Sequence, residues 1–198
     1  MVLRVTQYGE PILRKKGSVV SSFDANLHAL VNNMVETMHD LDGIGLAAQQ
    51  VDQALLVCVV DVWTRGVEAS FLYSLDGKTP PLELFMPMAL INPQVRVLDD
   101  DAVTAEEGCL SFPGIYGDVD RSNRIEVTYQ DFNGSHHSLE CDGLLARVIQ
   151  HEVDHLNGVL YIDHMEEATM KELNFELKKL RKQTRALLKN KGATKSAS

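Results

Sequence analysis

The sequence predicts an α+β fold, with small antiparallel sheets packed around a central helix and a further helix at the C-terminus. Three observations carry that expectation. Apolar residues recur at helical spacing in three separated stretches, and several segments between them are apolar over strand-like lengths. Asn133-Gly134 separates two strand-like segments, and an Asn-Gly pair tolerates the positive φ angles of a hairpin turn. No strand–helix–strand rhythm runs along the chain, which argues against a parallel α/β arrangement.

Residues 24–41 form the clearest helix. Leu27, Leu30, Val31, Met34, Val35, Met38 and Leu41 recur at helical spacing, Ser22 or Asp24 supplies the N-cap, and Asp42-Gly43 ends the helix. Residues 54–62, rich in valine, read as a buried strand. Residues 63–87 are expected to be a long loop or insertion, because prolines and glycines punctuate them and no clean period emerges. Residues 89–98 read as a strand broken near Asn92-Pro93, where proline removes a ladder donor. Residues 125–132 and 135–141 are the two arms of the hairpin. Asp142-Gly143 opens a second helix that runs to about Asn157, and Leu144, Leu145, Val148, Ile149 and Leu156 suit burial on one of its faces. A last helix is expected over residues 166–189. Leu173, Leu177, Leu180 and Leu187 make its narrow apolar stripe among Lys, Arg and Glu, and residues 190–198 should fray.

Composition narrows the function classes. The chain has 198 residues, 44% of them hydrophobic and 24% charged, which suits one globular domain with a short appendage and excludes disorder. No apolar run approaches the roughly eighteen residues of a membrane span, so no membrane contact is expected. The N-terminus lacks the charged-then-apolar layout of a secretory signal. Cys58, Cys109 and Cys141 are the only cysteines. A disulfide scaffold is therefore not expected, and a reducing cytoplasm is. The net charge of -9 is uneven: residues 171–198 hold nine Lys/Arg and two acids, whereas residues 1–170 hold ten Lys/Arg and 26 acids. A basic tail on an acidic body points to nucleic-acid contact or to a solvated helix face.

His151-Glu152-Val153-Asp154-His155 is an HExxH sequence inside the second helix. Residues four apart on a helix share a face, so both imidazoles can reach one metal with Glu152 beside them. A catalytic metal takes about three protein ligands and keeps one position open, so a third ligand is needed. Tyr161 stands where the HExxHxxGxxH proteases require histidine, and His164 is off that register. Glu166, Glu167 and Glu172 lie too close in sequence for the usual later-helix glutamate. Cys109 remains, a soft charged ligand as thiolate. Gly43-Ile44-Gly45-Leu46-Ala47-Ala48 also fits a loose dinucleotide fingerprint, but it follows a helix instead of a strand, so that reading is rejected.

Three signatures now stand in order: Gly43-Ile44-Gly45-Leu46-Ala47-Ala48-Gln49-Gln50, Glu107-Gly108-Cys109-Leu110-Ser111, and Gln150-His151-Glu152-Val153-Asp154-His155. Together they resemble the peptide deformylase family, as do Tyr8-Gly9-Glu10-Pro11-Ile12-Leu13-Arg14 and Ile91-Asn92-Pro93. The likeness runs from about Val5 to Met165. It departs at residues 63–88 and at Gln49, a variable motif position. Residues 1–165 are thus expected to be the catalytic domain, and residues 166–198 a basic helix with a frayed tail.

The residues alone reach as far as amide hydrolysis; the resemblance supplies the rest. It implies Cys109, His151 and His155 as metal ligands and Glu152 as the acid–base. It implies the Gln50 side chain and the Leu110 backbone N–H as oxyanion donors. The implied substrate is the N-formylmethionyl nascent peptide, and the implied working metal is Fe2+, with Zn2+, Ni2+ or Co2+ able to occupy the site. Ile44, Leu144 and Val148 are expected to line an apolar pocket for the methionine side chain, and Gly45 to let the substrate backbone approach. The C-terminal helix, by the same resemblance, could dock near the ribosomal exit. An HExxH protease and an RNA-binding protein with a structural metal are the competing classes. Cys58 and Cys141 are read as structural, His136 and His137 as pointing to opposite faces, and Arg121 as an ion-pair partner for Glu107 or an exposed arginine.

Overall fold

A computed structural model of the chain describes residues 1–63, 71–99 and 101–195, with side chains to residue 189. The first helix, α1 (Ala25–Asp40), begins where the Asp24 carboxylate accepts hydrogen bonds from the backbone N–H groups of Asn26 and Leu27. It buries Leu27, Val31, Met34 and Met38 against the main sheet, and Thr37 accepts a hydrogen bond from Leu3 N–H. That sheet has six strands in the order β1 (Gly45–Ala47), β2 (Val57–Val60), β4 (Met88–Val97), β7 (Arg124–Gln130), β8 (His136–Asp142) and β3 (Tyr73–Leu75). Every pairing in it is antiparallel.

Strand β2 explains why a short valine run replaces alternation. Val57 and Val59 join the core under α1, while Cys58 and Val60 join the core under α2 (Gly143–Leu156). Both faces are covered by a helix, so all four residues are apolar. The strand is shorter than the 54–62 expected, because residues 54–56 lead into it along the N-terminal segment. Asn92-Pro93 does interrupt β4: the register shifts between Ile91 and Gln94, and Asn92 takes φ +53°. The Asn92 side chain accepts from Val20 N–H and donates to the Val20 carbonyl and Gln130 Oε1, tying the segment before α1 and strand β7 to the bulge.

Four expectations need correction. The hairpin between β7 and β8 has a five-residue connection, in which only Gly134 takes positive φ; Asp131 Oδ1 accepts from Asn133 and Ser135 N–H and shapes the turn. Residues 63–87 are not all loop, since β3 pairs with β8 and a 3-10 turn forms at Leu82–Leu84. Residues 64–70 lie outside the described residues. Tyr73 contacts both Phe71 and Phe85, short-range packing that no periodicity announces. A separate two-stranded sheet, β5 (Ala102–Gly108) with β6 (Tyr116–Ser122), was not expected at all, because its sequence is largely polar. The last helix, α3 (Glu167–Lys195), continues helical past the point where fraying was expected.

The inner face of α3 is not free. Met170, Leu173, Leu177 and Leu180 pack on a core made by Leu13, Phe112, Ile115, Leu160, Tyr161 and Ile162. At Gly9 (φ +108°) a Cβ would come within 3.2 Å of Arg181, so glycine serves both the backbone conformation and the close approach of α3. Leu187 lies beyond that contact and is exposed. Among the described residues no helix is long and apolar enough to cross a membrane.

Candidate metal centre and cleft

Helix α2 crosses between the two sheets and carries His151, Glu152 and His155, all buried. The two imidazoles sit one turn apart with ring centroids 5.1 Å from each other. Cys109 follows the last residue of β5, where the chain turns toward β6. Its Sγ lies 3.3 Å from His155 Nε2. One ligand atom from each of Cys109, His151 and His155 falls within 4.8 Å of the others. A sulfur and two ring nitrogens packed this closely suit a divalent cation. Glu152 Oε2, buried with no hydrogen-bond partner, adds an orphan acceptor beside them. The donor set therefore fits a metal. Burial pushes the His155 imidazole well below its usual range, and a neutral ring is the form that ligates.

A buried ionic network holds the three donors. His151 Nδ1 lies 2.8 Å from Glu107 Oε2, which orients the ring and leaves Nε2 for a cation. Arg121 binds Glu107 through two hydrogen bonds of 2.7 and 2.9 Å, and Arg147 Nη1 adds a third at 2.8 Å. Arg121 also donates to Asp154 Oδ2 at 2.6 Å, and His164 reaches the same oxygen at 2.8 Å. Burial opposes ionisation of Glu107, but the hydrogen bonds from His151 and Arg121 outweigh it and hold the carboxyl well below the usual carboxylate range. An ionised Glu107 only accepts, so His151 Nδ1 is the protonated nitrogen. Arg121 is thus an ion-pair partner and not an exposed arginine. His164, which the sequence left without a partner, is paired with Asp154.

Glu152 stands in a different environment. Desolvation pushes its carboxyl up to about 7. Strand β1 passes directly over it: a Cβ at Gly45 would lie 2.3 Å from Glu152 Oε1, so only glycine fits there. Gln50 is buried in the 3-10 turn that follows β1 (Ala48–Val51). Its Oε1 accepts from Ala47 N–H at 2.7 Å, which fixes the amide so that Nε2 faces Cys109 Sγ and Ser111 Oγ, each at 3.4 Å.

These groups open onto a cleft of about 770 Å³. Ile44, Gly45, Gln50, Cys109, Leu110, Leu144, Val148, His151 and Glu152 all line it; His155 lies behind Cys109 and does not. The sequence reading missed one wall, built from Leu3, Val5 and Gln7 of the extended N-terminal segment. Their spacing of two was the available signal. It also missed Tyr116 and Arg147 at the cleft. Cys58 and Cys141 are buried, free and away from the metal cluster.

Known proteins share the sequence pattern and the fold. The sequence model of the polypeptide deformylase family matches residues 2–171. A peptide deformylase of Opitutus terrae is 50% identical over 190 residues, covering 96% of this chain and 98% of that protein. The crystal structure of peptide deformylase from Thermotoga maritima superposes with a TM-score of 0.71 at 41% identity, over 84% of this chain and 99% of that one. A Plasmodium falciparum peptide deformylase gives a TM-score of 0.78 at 32% identity, over 92% and 97% of the two chains. With most of its length matched in both sequence and fold, the chain belongs to the polypeptide deformylase family.

Proposed function

We propose that Cys109, His151 and His155 hold the metal of this deformylase, that Glu152 carries the proton, and that Gln50 and the Leu110 N–H receive the developing oxyanion. The family's reaction is metal-dependent removal of the N-formyl group from nascent peptides, and the chain is a hydrolase of that kind. The observation that carries the residue assignment is the meeting of three ligand atoms within 4.8 Å, beside a buried, orphaned carboxylate oxygen.

When bound, the divalent cation acidifies water and polarises the formyl oxygen. Glu152 accepts the proton of the attacking water and returns it to the leaving nitrogen. Water oxygen bonds to the formyl carbon, the carbon–nitrogen bond breaks, and formate and a free α-amine result. The rise of the Glu152 carboxyl toward neutrality suits both directions of transfer. Gln50 Nε2 and the Leu110 N–H are fixed donors placed before the charge appears. A neutral amide stabilises that charge without competing for the cation. Ile44, Leu144 and Val148 offer an apolar seat for the methionine side chain. Strand β1 ends the large sheet and β5 belongs to a two-stranded one, so an extended peptide can lie between two open strand edges.

The working metal we assign is Fe2+, with Zn2+, Ni2+ or Co2+ as alternative occupants. The affinity order favours Zn2+ over Fe2+, so availability selects. We place the reaction in the cytoplasm, where nascent chains emerge. The outer face of α3, with Lys178, Lys179, Lys182, Arg185 and Lys189 exposed, is the surface we assign to ribosomal RNA. Charge reversal at Lys178 and Lys182 should weaken ribosome co-sedimentation and its salt dependence while leaving turnover of short peptides intact.

Formate release from a formyl-Met peptide, measured anaerobically with added Fe2+, tests the central reading. Glu152→Ala should keep its metal and lose about 10²- to 10⁴-fold in turnover. Wild-type turnover in that variant removes Glu152 from the mechanism.

A further inference from the structure

The N-terminal segment is tied to both halves of the oxyanion site by four hydrogen bonds from three consecutive residues. On one side Thr6 Oγ1 donates to the Gln49 carbonyl at 3.1 Å, and Thr6 N–H donates to the Gln50 carbonyl at 2.8 Å. On the other side Gln7 Nε2 donates to the Leu110 carbonyl at 3.3 Å, and Tyr8 N–H donates to the Ser111 carbonyl at 2.9 Å. Gln50 and Ser111 are 61 residues apart in sequence. Direct contact between the two segments is slight. Gln50 Nε2 reaches Cys109 Sγ and Ser111 Oγ only at 3.4 Å, and that amide is the group that has to turn to the substrate.

We infer that Thr6 and Gln7 are positioning residues of the oxyanion hole, a splint that sets the distance between the Gln50 amide and the Leu110 N–H. The inference rests on the assignment of those two groups as oxyanion donors. The geometry of the splint is itself secured. Gln7 N–H donates to Glu10 Oε1 at 2.9 Å, and Arg4 clasps the same carboxylate at 2.7 and 2.8 Å. Tyr8 stacks on Phe112 at 4.7 Å, which anchors the far end. Thr6 is fully buried, so its hydroxyl has no solvent role. Gln7 lines the cleft and yet turns its amide onto the Leu110 carbonyl. Holding that carbonyl limits rotation about Leu110, whose own N–H is the donor.

A splint acts on the transition state, because the oxyanion exists only there. Thr6→Val and Gln7→Met keep the shape and remove the side-chain donor. Each should lower kcat about tenfold, since small misplacements of catalytic groups cost on that order. KM, metal content per chain and melting temperature should stay near wild type, and Thr6→Ser should restore kcat. The decisive comparison is Thr6→Val in a Gln50→Ala background. If Thr6 works through Gln50, the second substitution costs little more once the amide is gone. An equal loss of kcat in both backgrounds overturns the inference, as does unchanged kcat in both single variants or a loss that follows metal content. Gln50→Ala at full rate would sink the oxyanion assignment and the splint with it. An impaired Gln50→Ala with unimpaired Thr6→Val and Gln7→Met sinks the splint alone.

Discussion

Arg121 and Arg124 stand three residues apart on either side of the corner between β6 and β7, and the side chain of each reaches along the neighbouring strand to a glutamate. Arg121 and Glu107 are 4% and 5% exposed at their side chains; Arg124 and Glu140 are 55% and 46% exposed. The Arg121 pair is joined at 2.7 Å inside a network that reaches His151 and Asp154, whereas the Arg124 pair is a single 3.0 Å contact in water. Chemistry is the same in both regions, but consequence is not. An exposed pair gains little over hydration. A buried pair barely offsets its own desolvation, yet removing one partner strands a charge that nothing else can satisfy. The buried network therefore serves position more than stability: it ties the strand that ends at Cys109 to the helix that carries both histidines.

Arg121→Ala should break this contrast most severely. Leaving Glu107 buried without its main partner should cost about 3–5 kcal/mol of folding stability. Denaturant unfolding measures it; a loss below about 1 kcal/mol would place Arg121 with the surface pairs.

Glu107→Gln tests the link to the metal. A neutral amide still accepts from His151 Nδ1 but no longer favours the oriented, electron-rich ring, so metal affinity should fall about 10- to 100-fold. Chelator competition gives the number, and an unchanged affinity would separate the network from the ligands.

Acid titration sharpens the same point. Glu107 is held below its ordinary pKa when folded, so its contribution is complete above the unfolded value of about 4.3 and is lost as pH falls toward the folded value. The stability gap between wild type and Glu107→Gln should therefore narrow below about pH 4. A gap that stays constant on acidification would assign that linkage elsewhere. Smallest of all, Arg124→Ala should change stability by no more than about 1 kcal/mol, and less at high salt.

The network was only partly readable beforehand. From the sequence Arg121 is equally an ion-pair partner for Glu107 or an exposed arginine, and nothing along the chain joins Arg147, Asp154 or His164 to them. Their meeting depends on the β5–β6 hairpin, whose strands read Ala-Val-Thr-Ala-Glu-Glu-Gly and Tyr-Gly-Asp-Val-Asp-Arg-Ser. The buried face of that hairpin carries Glu107 and Arg121 beside Val119, so it lacks the unbroken apolar alternation by which strands are recognised. Strand β3 escaped for another reason: three residues are too few to show any period. Both helices with strong apolar faces were found within a residue or two, since helical spacing repeats several times within each.

Spacing along the chain settles local features. The two histidines one helical turn apart, the glutamate between them, the helix that carries all three and the bulge at Asn92-Pro93 follow from spacing and from the backbone limits of single residues. Elimination of the other candidates leaves Cys109 as the third ligand, and the family motif adds Gln50. How far apart they stand is a matter of packing. The sulfur 3.3 Å from His155, the amide of Gln50 facing Cys109 Sγ, and the glycine that lets β1 pass over Glu152 join segments tens of residues apart. So does the extended N-terminal segment that walls the cleft. Such distances come from how two sheets and three helices pack as whole bodies, and no local pattern along the chain encodes them.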